Sequence, residues 1–175
     1  WEMLDNNHHF LDMESPAVNL MKPVTKRYMR LTFNENAWQG SLMTLNTVEF
    51  YGTKANDASL EQPVQLIFKS CSDENSNAKQ KASNAVDGNE NSQWRSKDGV
   101  PYPHTLDVQN SSSERCIETL SLVQAIIGNK KKSRNYNAGK VTIWVSDNGK
   151  DWTAFEKVRI PYYNKSTIRL KTPIH

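Results

Sequence analysis

The chain has 175 residues, 37% of them hydrophobic and 23% charged, which suits a folded domain with a real core and excludes a disordered chain. No apolar run reaches the roughly 18–20 residues that a membrane helix needs. The net charge of +3, from 22 basic and 19 acidic side chains, is too mild to argue for nucleic acid.

Strand signals come first along the chain. Arg27 to Phe33 alternates, with Met29, Leu31 and Phe33 on one face and Tyr28, Arg30 and Thr32 on the other. Thr47 to Tyr51, Val64 to Lys69, Thr105 to Val108 and Thr119 to Ile127 also read as strands. Lys140 to Ser146 alternates again, Val141, Ile143 and Val145 against Thr142, Trp144 and Ser146. A period of two with β-branched and aromatic residues predicts half-buried sheet. Asn148-Gly149 predicts a tight hairpin turn. Residues 53–63 are polar and aperiodic and read as a linker, and Cys71 to Ser83 reads as a long surface loop. No long helical period is present, so the expected class is an all-β sandwich or barrel.

The two cysteines, Cys71 and Cys116, form no metal pattern and are compatible with one disulfide or with two buried thiols. Asn110-Ser-Ser and Asn164-Lys-Ser match the glycosylation sequon. The run Lys130-Lys131-Lys132 reads as a solvated loop. The chain opens on Trp1-Glu2-Met3, and any export signal is expected to have been removed already. His8, His9, His104 and His175 have no nucleophile context and no H-E-x-x-H appears; no phosphate-binding loop is present among seven glycines. The expectation is a protein without catalysis, in which His104 is a surface or packing histidine rather than a catalyst.

The segment Ala82-Ser-Asn-Ala-Val-Asp-Gly-Asn-Glu-Asn-Ser-Gln-Trp94-Arg-Ser resembles the "A-x-DG-n-x-x-T-x-W-x-S" signature of discoidin domains. These are also called coagulation-factor type C domains, and they include many carbohydrate-binding modules. Pro103 to Val108 resembles the next strand of that family, and Val141 to Trp152 its "vS-x-DG-x-x-W" hairpin. Lys26 to Leu31 and Val48 to Gly52 are similar to its closing strands. The order is permuted: residues 1–52 resemble the C-terminal part of the family and 64–175 its N-terminal part. Trp1 to Leu4 also matches Trp152 to Phe155, about one domain length further on. The pattern suits a circular permutation, a window cut from tandem domains, or strand exchange between chains. The resemblance implies a jelly-roll, galactose-binding-like β-sandwich, with residues 26–52 completing the sheets of 64–175 because half a jelly roll would leave its edges and core open.

It also implies sites. A structural calcium would sit at the Asp87 loop, held by Asp87 and Ser92 side-chain oxygens and by the carbonyls of Ala85 and Asn89; the family often has Thr where Ser92 stands, and a Glu where Thr47 stands. Without metal the same loop reads as an Asx turn. Trp94 is expected in the core. Trp38, in the polar loop Asn34 to Gly40, is the expected sugar platform. Arg134, Asn135 and Tyr136 lie on one neighbouring loop, and Glu74 and Asn75 on another. Pyranose faces stack on aromatic rings while Arg, Asn and Glu read hydroxyls. The implied function is a non-catalytic, extracellular or cell-surface carbohydrate-binding module for a galactose-type or related sugar, appended to a larger glycan-processing or surface protein. The partners are then a glycan and neither nucleic acid nor a membrane span. The alternatives are a protein- or phospholipid-binding adhesion domain of the same kind, or a glycoside hydrolase fragment.

Overall fold

The computed structural model describes residues 26–36, 40–54, 57–111, 115–124, 136–160 and 165–174. Among these, the strands are β1 (Tyr28–Asn36), β2 (Thr44–Leu45), β3 (Thr47–Lys54), β4 (Asp57–Val64), β5 (Leu66–Cys71), β6 (Trp94–Arg95), β7 (His104–Asn110), β8 (Arg115–Val123), β9 (Ala138–Ser146), β10 (Thr153–Arg159) and β11 (Lys165–Ile174). Two short 3-10 turns, Ala78–Gln80 and Ala82–Val86, lie between β5 and β6. One sheet runs β10-β9-β1-β7-β5, a second β11-β8-β3-β4, and β2 pairs with β6. Every pairing is antiparallel. The fold is therefore all-β. No helix of the described residues is long and apolar enough to cross a membrane.

The alternation seen in sequence sets the faces. Met29, Leu31 and Phe33 of β1 and Val141, Ile143 and Val145 of β9 point into one core cluster with Leu106 and Val108 of β7. Val48 and Phe50 of β3, Ile117, Leu120 and Leu122 of β8, and Ile174 of β11 reach the same cluster from the four-stranded sheet. Each such large apolar side chain contributes about 1.5–3 kcal/mol on burial. β1 lies between β9 and β7, and β3 between β8 and β4, so residues 28–54 supply interior strands to both larger sheets.

The opposite face of the five-stranded sheet is polar. Arg30 grips Asp107 with Nε and Nη2 at 2.6 and 2.8 Å. Its guanidinium lies 4.3 Å from the Trp152 ring centroid, and Ser70 Oγ donates to the same carboxylate at 2.8 Å. A paired, stacked arginine suits a half-buried sheet face because its planar fork meets the carboxylate with two bonds at once.

Several expectations change in detail. Residues 53–63 are not an open linker: they carry the end of β3 and most of β4, which pairs with β3 through Phe50↔Val64 and Tyr51↔Pro63. β4 is an edge strand, so it needs no alternating apolar face, and Pro63 is tolerated where no further ladder partner is required. β8 spans Arg115–Val123 and so begins before the expected Thr119; residues 125–127 of that expected strand lie outside the described residues. The β9–β10 connection occupies residues 147–152, with the expected Asn148-Gly149 turn inside it. Ser146 Oγ accepts from the Asn148 and Gly149 N–H groups, and Asn148 Oδ1 from those of Lys150 and Asp151. Gly149 takes φ +71°, and a Cβ there would stand 3.4 Å from the Tyr28 ring. Cys71 is a free thiol; burial, with Glu74 and Asp73 nearby, raises its pKa to about 11, so it is no ready nucleophile. Asn110 of the first sequon is buried at the end of β7, an unsuitable position for glycosylation.

Candidate functional site

β1 and β5 end, and β7 and β9 begin, along one end of the five-stranded sheet. The registers Asn36↔Ala138, Phe33↔His104 and Cys71↔Leu106 place them there. The loops that carry the expected ligand residues all leave from this end. Trp38, Arg134 and Asn135 lie outside the described residues, but the residues that anchor their loops do not.

Asn36 closes the loop that contains Trp38. Its Nδ2 donates to the Gly40 and Leu42 carbonyls at 3.1 and 2.9 Å, and its Oδ1 accepts from the Gly40 N–H at 3.1 Å. One amide thus replaces the backbone bonds that a tight turn would make. Across the ladder from Asn36 stands Ala138, directly after Tyr136 and Asn137, where the Arg134 loop re-enters the sheet. Tyr136 is exposed. Asn137 is fully buried, and its two amide atoms have no hydrogen-bond partner among the described residues.

His104 joins the Trp38 loop to the Glu74 loop. Its Nε2 lies 2.7 Å from the Ser41 carbonyl and its Nδ1 2.8 Å from Asp73 Oδ2. The side chains of His104 and Asp73 are 0% and 8% exposed. Asp73 also accepts from the Lys97 N–H at 2.7 Å and from Ser72 Oγ at 2.7 Å, and its carbonyl accepts from Trp94 Nε1 at 3.1 Å. Burial works to raise the Asp73 pKa, but the hydrogen bonds from His104, Lys97 and Ser72 outweigh it and hold the carboxyl below its ordinary value. The Tyr102 ring packs edge-on against the imidazole at 4.5 Å, and burial raises its hydroxyl pKa. Of the two alternatives expected for His104, surface or packing, its burial selects packing. Its bridging of two loops was missed, because Asp73 is distant in sequence and carries no motif.

Glu74 and Asn75 serve their own loop. The Glu74 carboxylate accepts from Lys81 Nζ at 2.8 Å and from the Ala82 N–H at 2.9 Å; the Lys81 contact, then the Ala82 N–H, lowers its pKa. Asn75 Oδ1 accepts from the Asn77 N–H, and the Asn75 N–H donates to the Arg95 carbonyl. Both side chains hold the rim in shape, and a ligand would have to share them.

The Asp87 loop folds around one hydroxyl. Ser92 Oγ lies 2.8 and 3.0 Å from the two Asp87 carboxylate oxygens, 3.0 Å from the Asn89 carbonyl and 3.2 Å from the Asn84 carbonyl. A hydroxyl has one proton to give, so several of these oxygens converge without one. Asp87 Oδ1 also accepts from the Asn89 N–H at 2.8 Å, an Asx turn, with Gly88 at φ +74°. Three of the four expected donors, Asp87, Asn89 and Ser92, come together. At the fourth position the carbonyl near Ser92 is that of Asn84 rather than Ala85. Asn46 Nδ2 donates to the Glu90 carbonyl at 2.7 Å, tying the loop to the start of β3. Among the described residues no group of three or more His, Cys, Asp or Glu side chains gathers for a metal, so a cation here would rely mainly on neutral oxygens.

No protein-family model matches the chain, and neither a curated protein nor a solved structure matches it.

Proposed function

We propose that the chain is a jelly-roll β-sandwich of the discoidin kind, a non-catalytic module that binds a galactose-type or related glycan at the cell surface or outside the cell. The observation that carries this reading is the meeting of three loop anchors, Asn36, His104–Asp73 and Tyr136–Ala138, at one end of the five-stranded sheet. A rigid sheet that presents several loops from one end is the usual arrangement for recognition. In this reading Trp38 stacks on a pyranose face, and Arg134, Asn135 and Tyr136 hydrogen-bond to hydroxyls. Glu74 and Asn75 hold the rim and share donors or acceptors with the sugar.

The test is binding to a glycan array, followed by titration of the best glycan with variants. Trp38→Ala and Arg134→Ala should each weaken binding about tenfold or more, because a central aromatic or arginine anchor is worth roughly 1–3 kcal/mol. Folded variants that bind like the parent would overturn the site. An array on which no glycan binds would overturn the function.

The Asp87 loop suits a structural calcium in donor type, since hard cations take carboxylate, hydroxyl and carbonyl oxygens. Asp87, Ser92 and the Asn89 carbonyl would hold it, with the Asn84 carbonyl in the place expected of Ala85, and the ion would cross-link the loop to itself. Calcium at a hundredfold excess over its Kd should stabilise the fold by about 2.7 kcal/mol, a rise in Tm of roughly 5–10 °C. Asp87→Ala should abolish the rise. A parent Tm indifferent to calcium and to chelator would leave the Asx turn as the whole role of this loop.

A further inference from the structure

A second recess lies beside the same end of the sheet, on its polar outer face. Asn34 of β1, Lys140, Val141 and Thr142 of β9, and Lys157, Val158 and Arg159 of β10 line a cleft of about 450 Å³, within the roughly 300–1,000 Å³ range of small-molecule sites. The pairings Thr142↔Lys157 and Lys140↔Arg159 flank the Val141↔Val158 rung and so place their side chains on one face of the sheet. Two residues beyond Asn34 and two before Lys140, Asn36 and Ala138 begin the loops of the proposed ligand end.

Three cations face this recess. Lys140 pairs with Glu35 at 3.1 Å in an exposed contact, which holds it weakly. Lys157 and Arg159 are exposed and have no ion-pair partner among the described residues. Below them Thr142 is 4% exposed. Its Oγ1 accepts from Asn34 Nδ2 at 3.0 Å, which leaves the hydroxyl proton to be donated elsewhere. Cations on an edge strand such as β10 also discourage pairing with another chain, but that role requires neither a recess nor a buried hydroxyl beneath the charges.

We propose that this cleft is an oxyanion subsite that takes a carboxylate or sulfate group of an acidic saccharide. Arg159 and Lys157 supply charge-assisted donors, and Thr142 supplies a neutral donor from the floor. The inference rests on the glycan reading and names its substrate class: a chain anchored at the loops would extend over β1 and β9 and place an acidic sugar in the cleft. The attraction acts between exposed groups, so it weakens as salt shortens the Debye length to about 8 Å at 0.15 M and below.

The test compares a sulfated oligosaccharide with its chemically desulfated form by calorimetry, and follows backbone amides by NMR. The parent should bind the sulfated form about tenfold more tightly, with shifts at Thr142, Lys157 and Arg159 that inorganic sulfate reproduces more weakly. Lys157→Ala/Arg159→Ala should erase the preference while leaving the neutral form bound as before, and Thr142→Val should reduce it. If the parent binds both forms equally, or the double variant keeps the preference, the cleft inference is overturned and the glycan reading stands. If it binds neither form nor any array glycan, the glycan reading falls and takes the inference with it. A preference for nucleic acid over sulfated saccharide of equal charge would also overturn it.

Discussion

Asp73→Ala should cost several kcal/mol of stability, because each buried donor left without its acceptor costs about 1–3 kcal/mol. His104 would keep the Ser41 carbonyl but lose its carboxylate, in a site where its own side chain is 0% exposed. The Lys97 N–H and Ser72 Oγ would lose their acceptor at the same time. The milder Asp73→Asn isolates the charge and tests the pH dependence. In the folded protein the hydrogen bonds of Asp73 hold its pKa below the ordinary value. The stabilisation from this carboxylate is therefore fully present above the unfolded pKa of about 3.9 and is lost as the pH falls through the folded value. Urea titrations from pH 6 downward should show the parent losing this increment below about pH 4, and Asp73→Asn should lack it. An Asp73→Asn profile parallel to that of the parent throughout would show that the carboxylate carries no such linkage.

The second large effect belongs to Trp94. Among the described residues it stands first by volume of the fully buried side chains. Its ring meets Phe33 edge-to-face at 5.9 Å and 70°, and its Nε1 donates to the Asp73 carbonyl. Trp94→Ala should cost about 3–5 kcal/mol, from lost burial plus the cavity left behind. Trp94→Phe keeps most of the apolar volume and should cost less, on the order of 1–2 kcal/mol, including the lost hydrogen bond. Chemical denaturation of both variants measures this directly. A loss under about 1 kcal/mol for Trp94→Ala would mean that the surroundings collapse onto the space and that the ring is not a keystone. Because Asp73 meets both His104 and Trp94, the ligand-end loops and the core share one set of bonds, and perturbation at either should be felt at the other.

Much of the architecture was legible before the structure. β1, β3, β5, β7 and β9 were each read within a few residues of their bounds, because their apolar residues recur at period two. Trp94 was read as core, and three of the four oxygen donors of the Asp87 loop do converge. β4 and β10 were not read as strands. β4 lies at an edge, and β10 shows no clean alternation of burial, so neither produces a periodic signal. Arg30–Asp107 and Asp73–His104 were also invisible, since they join residues separated by 77 and 31 positions and no local spacing encodes such partners.

The amino-acid sequence by itself determined the all-β character, the faces of the main strands and the local chemistry of the Asp87 and Asn148 turns. Each of these follows from residues within a few positions of one another, through side-chain alternation or a side chain bonding its own backbone. The motif order also led to the expectation that residues 26–52 join the sheets of 64–175; only the tertiary structure decided which neighbours they take, β1 between β9 and β7 and β3 between β8 and β4. It also decided that Glu74 is taken up by Lys81, that His104 ties the Trp38 loop to Asp73, and that Lys140, Lys157 and Arg159 gather over Thr142. Those outcomes depend on which strands become neighbours, and strand pairing brings together residues that share no stretch of sequence.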